Sequence, residues 1–187
     1  MPTLKTLAAV VVAAALPAIA QAADFNLTGG SGSTAKVTTS SGGITLNVTG
    51  PSLGGGLDVT RSSAGLGVTT GLLDLGGIGD GESLTLSFSQ LVNLSSLRLA
   101  EWDLADKATL TWAGGSATLI GDGIISTDTE TLTGAVGTVF KLSGTGALTT
   151  FKLNGLTAVA AVPEASTYAM MALGLVGLGW VARRRQA

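Results

Sequence analysis

The sequence contains no cysteine and no histidine, and these two absences exclude several classes of function. Without cysteine no disulfide can frame the fold, so a buried apolar core has to stabilise it. Without histidine, Ser-His-Asp and Cys-His catalysis are excluded, because both need an imidazole base. A zinc centre is unexpected for the same reason, since its usual nitrogen and sulfur ligands are missing.

Positive charge is scarce in the middle of the chain. Residues 23–161 carry eleven of the twelve acidic side chains but only six of the ten basic ones. An acidic domain repels phosphate backbones, so we expect no nucleic-acid partner.

What the chain does have at its C-terminal end is a tail of three parts, residues 162–187. A Pro-Glu box is followed by an uncharged apolar segment, 168–182, and then by an arginine cluster. As a helix this segment spans roughly 22 Å, and a membrane can thin locally to match a span shorter than its roughly 30 Å core. The arginines predict a cytoplasmic C-terminus and an exported domain. The box and the cluster are Val162, Pro163, Glu164 and Ala165, and Arg183, Arg184 and Arg185.

The N-terminal end has the pattern of a cleavable signal peptide. Lys5 precedes an unbroken apolar run, 7–16, which is too short for a stable membrane span. Ala20 and Ala22 form an A-x-A site, so we expect cleavage after Ala22. The predicted organisation is therefore a signal peptide (1–22), an exported domain (23–161) and the tail (162–187).

The domain between the two ends shows the alternation of β-strands. Apolar and polar residues alternate at 44–48, 83–89, 96–99, 108–112 and 151–153, with glycine-rich turns between them. Ala113-Gly114-Gly115-Ser116 predicts a hairpin turn into a strand at 117–120. One polar face per strand predicts a mainly β fold, an antiparallel sandwich with a jelly-roll-like arrangement. We expect most of the core from residues 82–156, and peripheral strands with long loops from residues 29–71.

Two groups of side chains in this domain are candidate binding sites. Asp74, Asp80 and Glu82 lie in or beside one predicted loop, and carboxylates with free carbonyls are what Ca²⁺ binds. Solvated turn carboxylates are the alternative explanation. Trp102 and Trp112 flank Asp103 and Asp106 and could form a platform for sugar rings, although tryptophan in a small sandwich is commonly part of the core.

The three-part tail resembles the PEP-CTERM sorting signal of Gram-negative bacteria. The resemblance implies handling by an exosortase-type enzyme, an inner-membrane precursor with one span, and a mature form at the cell surface or outside the cell. Ala165 stands where the usual box has a second proline, so a cleaved tail and a permanent anchor both stay open. The run from Gly65-Leu66-Gly67-Val68 through Asp80-Gly81-Glu82 to Trp112 resembles the jelly-roll passenger domains that precede such tails.

Three classes of function follow. The first is a non-catalytic envelope or matrix protein that needs no cofactor, and its association with exopolysaccharide in biofilm is implied by the resemblance alone. The second is a carbohydrate-binding or adhesive module. The third is a glycoside hydrolase, which needs two carboxylates about 5–10 Å apart across a cleft. If the catalytic carboxylates are glutamates, they would have to come from Glu82, Glu101 or Glu130.

Overall fold

The computed structural model describes residues 22–51, 58–69 and 76–161, together with Met171, Gly174 and Leu175. The continuous stretches consist mainly of strands that pair antiparallel, which confirms the predicted mainly β, antiparallel architecture. The strands are β1 (Ala22–Asn26), β2 (Gly32–Thr34), β3 (Lys36–Ser41), β4 (Ile44–Thr49), β5 (Asp58–Ser62), β6 (Gly65–Thr69), β7 (Ile78–Gly79), β8 (Ser83–Trp102), β9 (Lys107–Trp112), β10 (Gly115–Ile120), β11 (Ser126–Thr131), β12 (Val136–Gly144) and β13 (Thr150–Ala160).

The long strand β8 organises the sheet, because its two halves have different neighbours. Its first half, 83–88, lies between β4 and β12, and β12 continues to β9 and β10. Its second half pairs with β13 through residues 92–100, and on the other side residues 96–102 pair with β11, whereas Val92 and Asn93 still pair with β12. On its other side β13 pairs with β1 and β6, and β6 continues to β5 and β2. We call the group around the first half the first arm and the group around the second half the second arm.

Alternation explains why these residues form strands. In β4 the side chains of Ile44, Leu46 and Val48 are buried, whereas the residue that follows each of them is partly exposed. The turn before it is the two-residue link Gly42-Gly43, in which both residues have positive φ, 53° and 77°. Such turns favour glycine because an L side chain is strained in that region, and their twist matches that of the paired strands.

Both arms contribute to one buried core. Phe25 from β1 packs edge-on against Phe88 from β8, with ring centres 6.1 Å apart, and Phe88 packs against Phe140 of β12 at 5.7 Å. Most of the buried apolar side chains belong to residues 82–156, as predicted, but the strands within 29–71 are less peripheral than expected. Side chains of β4, β5 and β6 are also fully buried: Ile44, Leu46, Val48, Val59, Leu66 and Val68.

All thirteen strands lie within Ala20–Ala161, which forms one compact unit. The predicted signal peptide up to residue 21 lies outside the described residues, and so does the predicted tail helix apart from Met171, Gly174 and Leu175. Among the residues that the structure describes, no helix is long and apolar enough to cross a membrane.

Candidate functional site

Three loops meet at one end of the domain, which we call the loop end. They are the β8–β9 loop (103–106), the β10–β11 loop (121–125) and the β12–β13 loop (145–149). They meet because the strands that they connect are neighbours: Lys107 of β9 pairs with Ile120 of β10, and Ala108 pairs with Gly144 of β12. Backbone hydrogen bonds join the first two loops, from Leu104 N to Gly123 O at 3.1 Å and from Gly121 N to Asp106 O at 3.0 Å.

The carboxyl group of Asp106 joins the β8–β9 loop to the first residue of β13. It is only 2% exposed, and it accepts hydrogen bonds from the backbone N–H of Thr150, at 2.7 Å, and of Asp103, at 2.8 Å. Burial raises the pKa of Asp106, the two hydrogen bonds lower it, and the charge of Asp103 raises it further. Its partners are backbone groups of the fold, so Asp106 has a structural role here.

Trp102 does not lie where simple alternation would place it. Leu97 and Leu99 point into the core, so Trp102 would point outward if β8 continued regularly. A β-bulge at Glu101 prevents this, because neighbouring residues of β11 pair with Trp102 and with Ala100 and leave Glu101 between them. Glu101 has a φ of 60°, a left-handed conformation that is common in bulges. The extra residue turns Trp102 inward.

The burial of Trp102 removes it from the predicted sugar platform. Its ring is 0% exposed and packs edge-on against Phe151 at 5.0 Å, so no face is open to a sugar. Trp112 is half-buried, lies at the far end of β9, and packs against Phe140 at 6.3 Å. The structure therefore does not bring the two tryptophans together, and only Trp112 keeps an accessible ring.

An acidic group lies beside Trp102 on β11. Among the residues that the structure describes, none accepts a hydrogen bond from the indole N–H of Trp102 in standard geometry. Burial raises the pKa of Glu130, the nearby indole N–H of Trp102 lowers it, and the charges of Asp122 and Asp128 raise it again. Asp128 also accepts a hydrogen bond from the hydroxyl of Ser126 at 2.8 Å. Sequence reasoning missed this group, because the bulge that brings Trp102 to it has no signal in the alternation.

Two of the three predicted calcium ligands, Asp80 and Glu82, lie within the described residues. Asp80 accepts a hydrogen bond from Gly146 N at 2.8 Å, and Glu82 accepts one from Gly79 N at 2.7 Å. Asp74 lies outside the described residues. Within the described ranges, no three acidic side chains are grouped so that they could hold a metal ion. Calcium binding stays a prediction, and both visible carboxylates also have a role in shaping their turns.

The three glutamates considered for hydrolysis have separate environments. Glu101 forms an ion pair with Lys152 through both carboxylate oxygens at 2.6 Å. Glu82 accepts the hydrogen bond from the backbone N–H of Gly79, and Glu130 lies beside Trp102. None of these contacts places two of the glutamates opposite each other.

The loop end also exposes apolar side chains. Leu104, Ile124 and Ile125 are largely exposed and line a shallow groove of about 570 Å³ together with Asp103, Ala105 and Gly123. The consecutive isoleucines after Asp122-Gly123 could have indicated this surface, because two large apolar residues are unusual in a turn that follows an aspartate and a glycine.

The predicted sorting and processing residues are nearly all outside the described ranges, namely Val162, Pro163, Glu164, Ala165, Arg183, Arg184 and Arg185, as well as Ala20. Ala22 is described and begins β1, where it pairs with Val159 of β13. Cleavage after Ala22 would leave Ala23 as the first residue, still paired with Ala158. The last described strand ends at Ala160, two residues before the tail begins at Val162.

Comparison with known proteins identifies this tail. Residues 161–185 match the PEP-CTERM protein-sorting motif. The chain therefore carries a PEP-CTERM sorting motif at its C-terminal end, and such a motif implies export, a membrane-anchored precursor and sorting by an exosortase to the cell surface. The matched residues begin after the thirteenth strand. No curated protein shows significant similarity to the chain.

Proposed function

From this motif we propose that the chain is a non-catalytic protein of the cell envelope or extracellular matrix, associated with exopolysaccharide. The precursor crosses the inner membrane once through residues 168–182, with the arginines in the cytoplasm. The observation that carries the proposal is the position of the motif, which starts at residue 161 directly after β13 ends at Ala160. Processing in the Pro-Glu box would therefore release every strand of the domain.

The domain itself is, in this proposal, a jelly-roll-like sandwich that acts as the sorted passenger. The contact between Phe25 of the second arm and Phe88 of the first arm supports face-to-face packing of the two arms. A non-catalytic role is supported by the use of carboxylates as structural acceptors, as in Asp106 and Glu82. The absence of histidine and cysteine from the sequence supports it too.

The test of sorting is the intact mass of the protein recovered from cell-surface material. We expect a mass that lacks residues 1–22 and ends near Pro163. Replacing Arg183, Arg184 and Arg185 together with Ala should yield unprocessed or mis-oriented protein, because a short span needs the cytoplasmic charge to hold it. The matched control replaces the same three residues with Lys, which keeps the charge. Normal processing of the alanine variant would contradict the proposed topology.

A second variant tests the box. Pro163→Ala with Glu164→Ala should leave a full-length, membrane-held precursor, since it removes both the extended segment and its acidic group. Ser166→Ala with Thr167→Ala is the neighbouring control. If both double variants are processed like the wild type, the box is not needed for processing, whereas a wild-type chain that keeps its tail would make the tail a permanent anchor.

The alternative function, a carbohydrate-binding or adhesive module, is favoured by one observation. The indole of Trp112 is half-buried over the hairpin glycines, so that part of its ring remains open to a ligand. If this face binds sugar, Trp112→Ala should weaken retention on exopolysaccharide from the same cells by about tenfold, which corresponds to about 1.4 kcal/mol. Equal retention of variant and wild type would remove this alternative.

Calcium is the remaining proposal for the domain. Asp80 and Glu82 each have a second carboxylate oxygen beyond the one in the observed backbone bond, and Ca²⁺ could use it. The full chain should then melt at a higher temperature in excess calcium, and Asp80→Asn with Glu82→Gln should abolish that difference. An unchanged melting temperature with calcium and with a chelator would leave these residues as turn carboxylates.

A further inference from the structure

The strand β10 ends one side of the sheet without the features that usually protect such an edge. It pairs with β9 along its whole length, Gly115–Ile120, and the register shows no shift. Within the described ranges, β9 is also the only strand that pairs with it. The unpaired side of an edge strand presents backbone N–H and C=O groups that can bind another strand.

The other edge strands of the described part are protected. β2 has three residues and β7 has two, which leaves little to pair with. β3 begins with Lys36, and β1 carries Asp24. β11 carries Asp128 and Glu130 and has a register shift. Short length, charge and bulges are the means by which proteins keep edges apart, and β10 has none of them.

We propose that β10 is a self-association surface, through which two copies of this chain pair antiparallel, strand against strand. The proposal does not depend on the sorting function. A second copy fits this edge because the strand has no charged residue, so that no like charges come to lie opposite each other. The pairing would extend the sheet of the first arm from one copy into the other.

The alternation of β10 restricts the register. Ala117 and Leu119 point toward the core, whereas Ser116, Thr118 and Ile120 point outward. Residues opposite each other in an antiparallel pair share a face, so core-facing positions must oppose core-facing positions. In a symmetric pair, the residue at the two-fold axis therefore lies opposite the same residue of the second copy. An axis between two consecutive residues is excluded, because it would oppose residues that face different sides of the sheet.

With the axis at Thr118, small side chains oppose large ones on both faces. Ala117 lies opposite Leu119 of the second copy, and Ser116 lies opposite Ile120. Ile120 is 55% exposed in the single chain, and in this register the small side chain of Ser116 leaves room for it across the pair. Moving the axis to Ala117 would oppose two alanines and leave Ile120 without a partner. The geometry thus favours Thr118 on the axis.

Because the sequence has no cysteine, a single introduced cysteine can form a disulfide only with its counterpart in another copy. Thr118→Cys would place two cysteines directly opposite each other, where Cα atoms of antiparallel pairs are about 4.5–5.5 Å apart. That spacing is within the range for a disulfide. We expect rapid formation of a covalent dimer when the full chain, purified in detergent, is oxidised mildly.

Two threonines provide matched controls. Thr129 is exposed on the edge strand β11, and Thr111 is exposed on β9, one strand inside the sheet. Thr129→Cys and Thr111→Cys should cross-link at least tenfold more slowly than Thr118→Cys. Cross-linking at equal rates would show random collision and would overturn the proposal.

A charge on the axis tests the same surface without a covalent bond. Thr118→Lys would put two ammonium groups opposite each other and should raise the dissociation constant of the dimer at least tenfold, measured by sedimentation of the full chain in detergent. Thr129→Lys should leave it unchanged. All variants carry the same tail, so a difference between them reports on the domain. A wild-type chain that stays monomeric at all concentrations, or a Thr118→Lys variant that associates like the wild type, would contradict the proposal.

Discussion

The loop end and the opposite end, where the chain enters at β1 and leaves at β13, are held together in different ways. At the loop end, one buried carboxylate and close backbone contacts fix loops that have little regular pairing. At the opposite end, continuous antiparallel pairing of β1 with β13, from Ala22–Val159 to Asn26–Gly155, holds the two strands together. The Asp24–Arg98 ion pair lies on the surface of this ladder. Single side chains should therefore matter more at the loop end than at the end with the ladder.

The largest difference should come from the two tryptophans. Trp102→Ala empties a fully buried site at the loop end and should lower the free energy of unfolding by about 3–5 kcal/mol. Trp112→Ala, toward the opposite end, removes a half-buried ring and should cost less than half as much. Chemical denaturation of both variants measures the comparison. Equal losses in the free energy of unfolding would mean that the complete burial of Trp102 does not stabilise the domain more than the partial burial of Trp112.

The next comparison concerns carboxylates. Asp106→Ala leaves the backbone N–H groups of Asp103 and Thr150 without their acceptor in a buried site, which should destabilise the domain by about 2–4 kcal/mol. Asp24→Ala breaks a pair in which the aspartate is 63% exposed, and should cost at most about 1 kcal/mol. Thermal melts of the two variants measure the two losses of stability. A larger loss for Asp24→Ala than for Asp106→Ala would contradict the greater importance of single side chains at the loop end.

A smaller effect is expected from a glycine of the β10–β11 loop. A Cβ atom on Gly121 would overlap the carbonyl oxygen of Asp103, whereas a Cβ on Gly123 would have no neighbour within 4 Å. Gly121→Ala should therefore destabilise by about 1–3 kcal/mol as the loops move apart. Gly123→Ala should be close to neutral. If both variants melt like the wild type, the two loops are not held in close contact.

The smallest effect is a dependence on pH. Burial is the main cause that raises the pKa of Glu130 above its ordinary 4.5, so the folded state binds this proton more tightly than the unfolded state. The resulting destabilisation is complete above the raised pKa and disappears as the pH falls to 4.5 and below. Glu130→Gln should thus raise the melting temperature at pH 7 and show a smaller advantage near pH 4.5. An advantage that grows toward acid pH would contradict this assignment.

Sequence alternation was enough to locate several strands and one hairpin. The segments 44–48, 83–89 and 108–112 lie in β4, β8 and β9. The hairpin predicted at Ala113-Gly114-Gly115-Ser116 is present, but its turn is only Ala113-Gly114, and β10 begins at Gly115 instead of Ala117. The continuity of β8 was missed, because the polar residues of 89–96 interrupt the alternation without ending the strand. Their polarity is compatible with a strand that has different neighbours on its two halves.

The candidate site could be predicted less well, for a physical reason. The facing of Trp102 depends on the bulge at Glu101, and a bulge depends on the pairing with β11 and not on local sequence. A shift of one residue moves a side chain to the other face of a sheet, so one unpredicted bulge decides between the two alternatives for this tryptophan, the sugar platform and the core. Trp112 follows no bulge within β9, which is paired regularly on both sides.

The pairing of β1 with β13 has a consequence for the order of events during export. In the proposed export from the N-terminus, β1 would be the first of the described strands to leave the cytoplasm and β13 the last, yet Phe25 of β1 pairs with Leu156 of β13. Contacts between residues so distant in sequence are slow to form, because a long loop has to close first. The ladder cannot form until the residues just before the sorting motif have crossed the membrane. Translocation of the tail-proximal segment thus precedes completion of the fold.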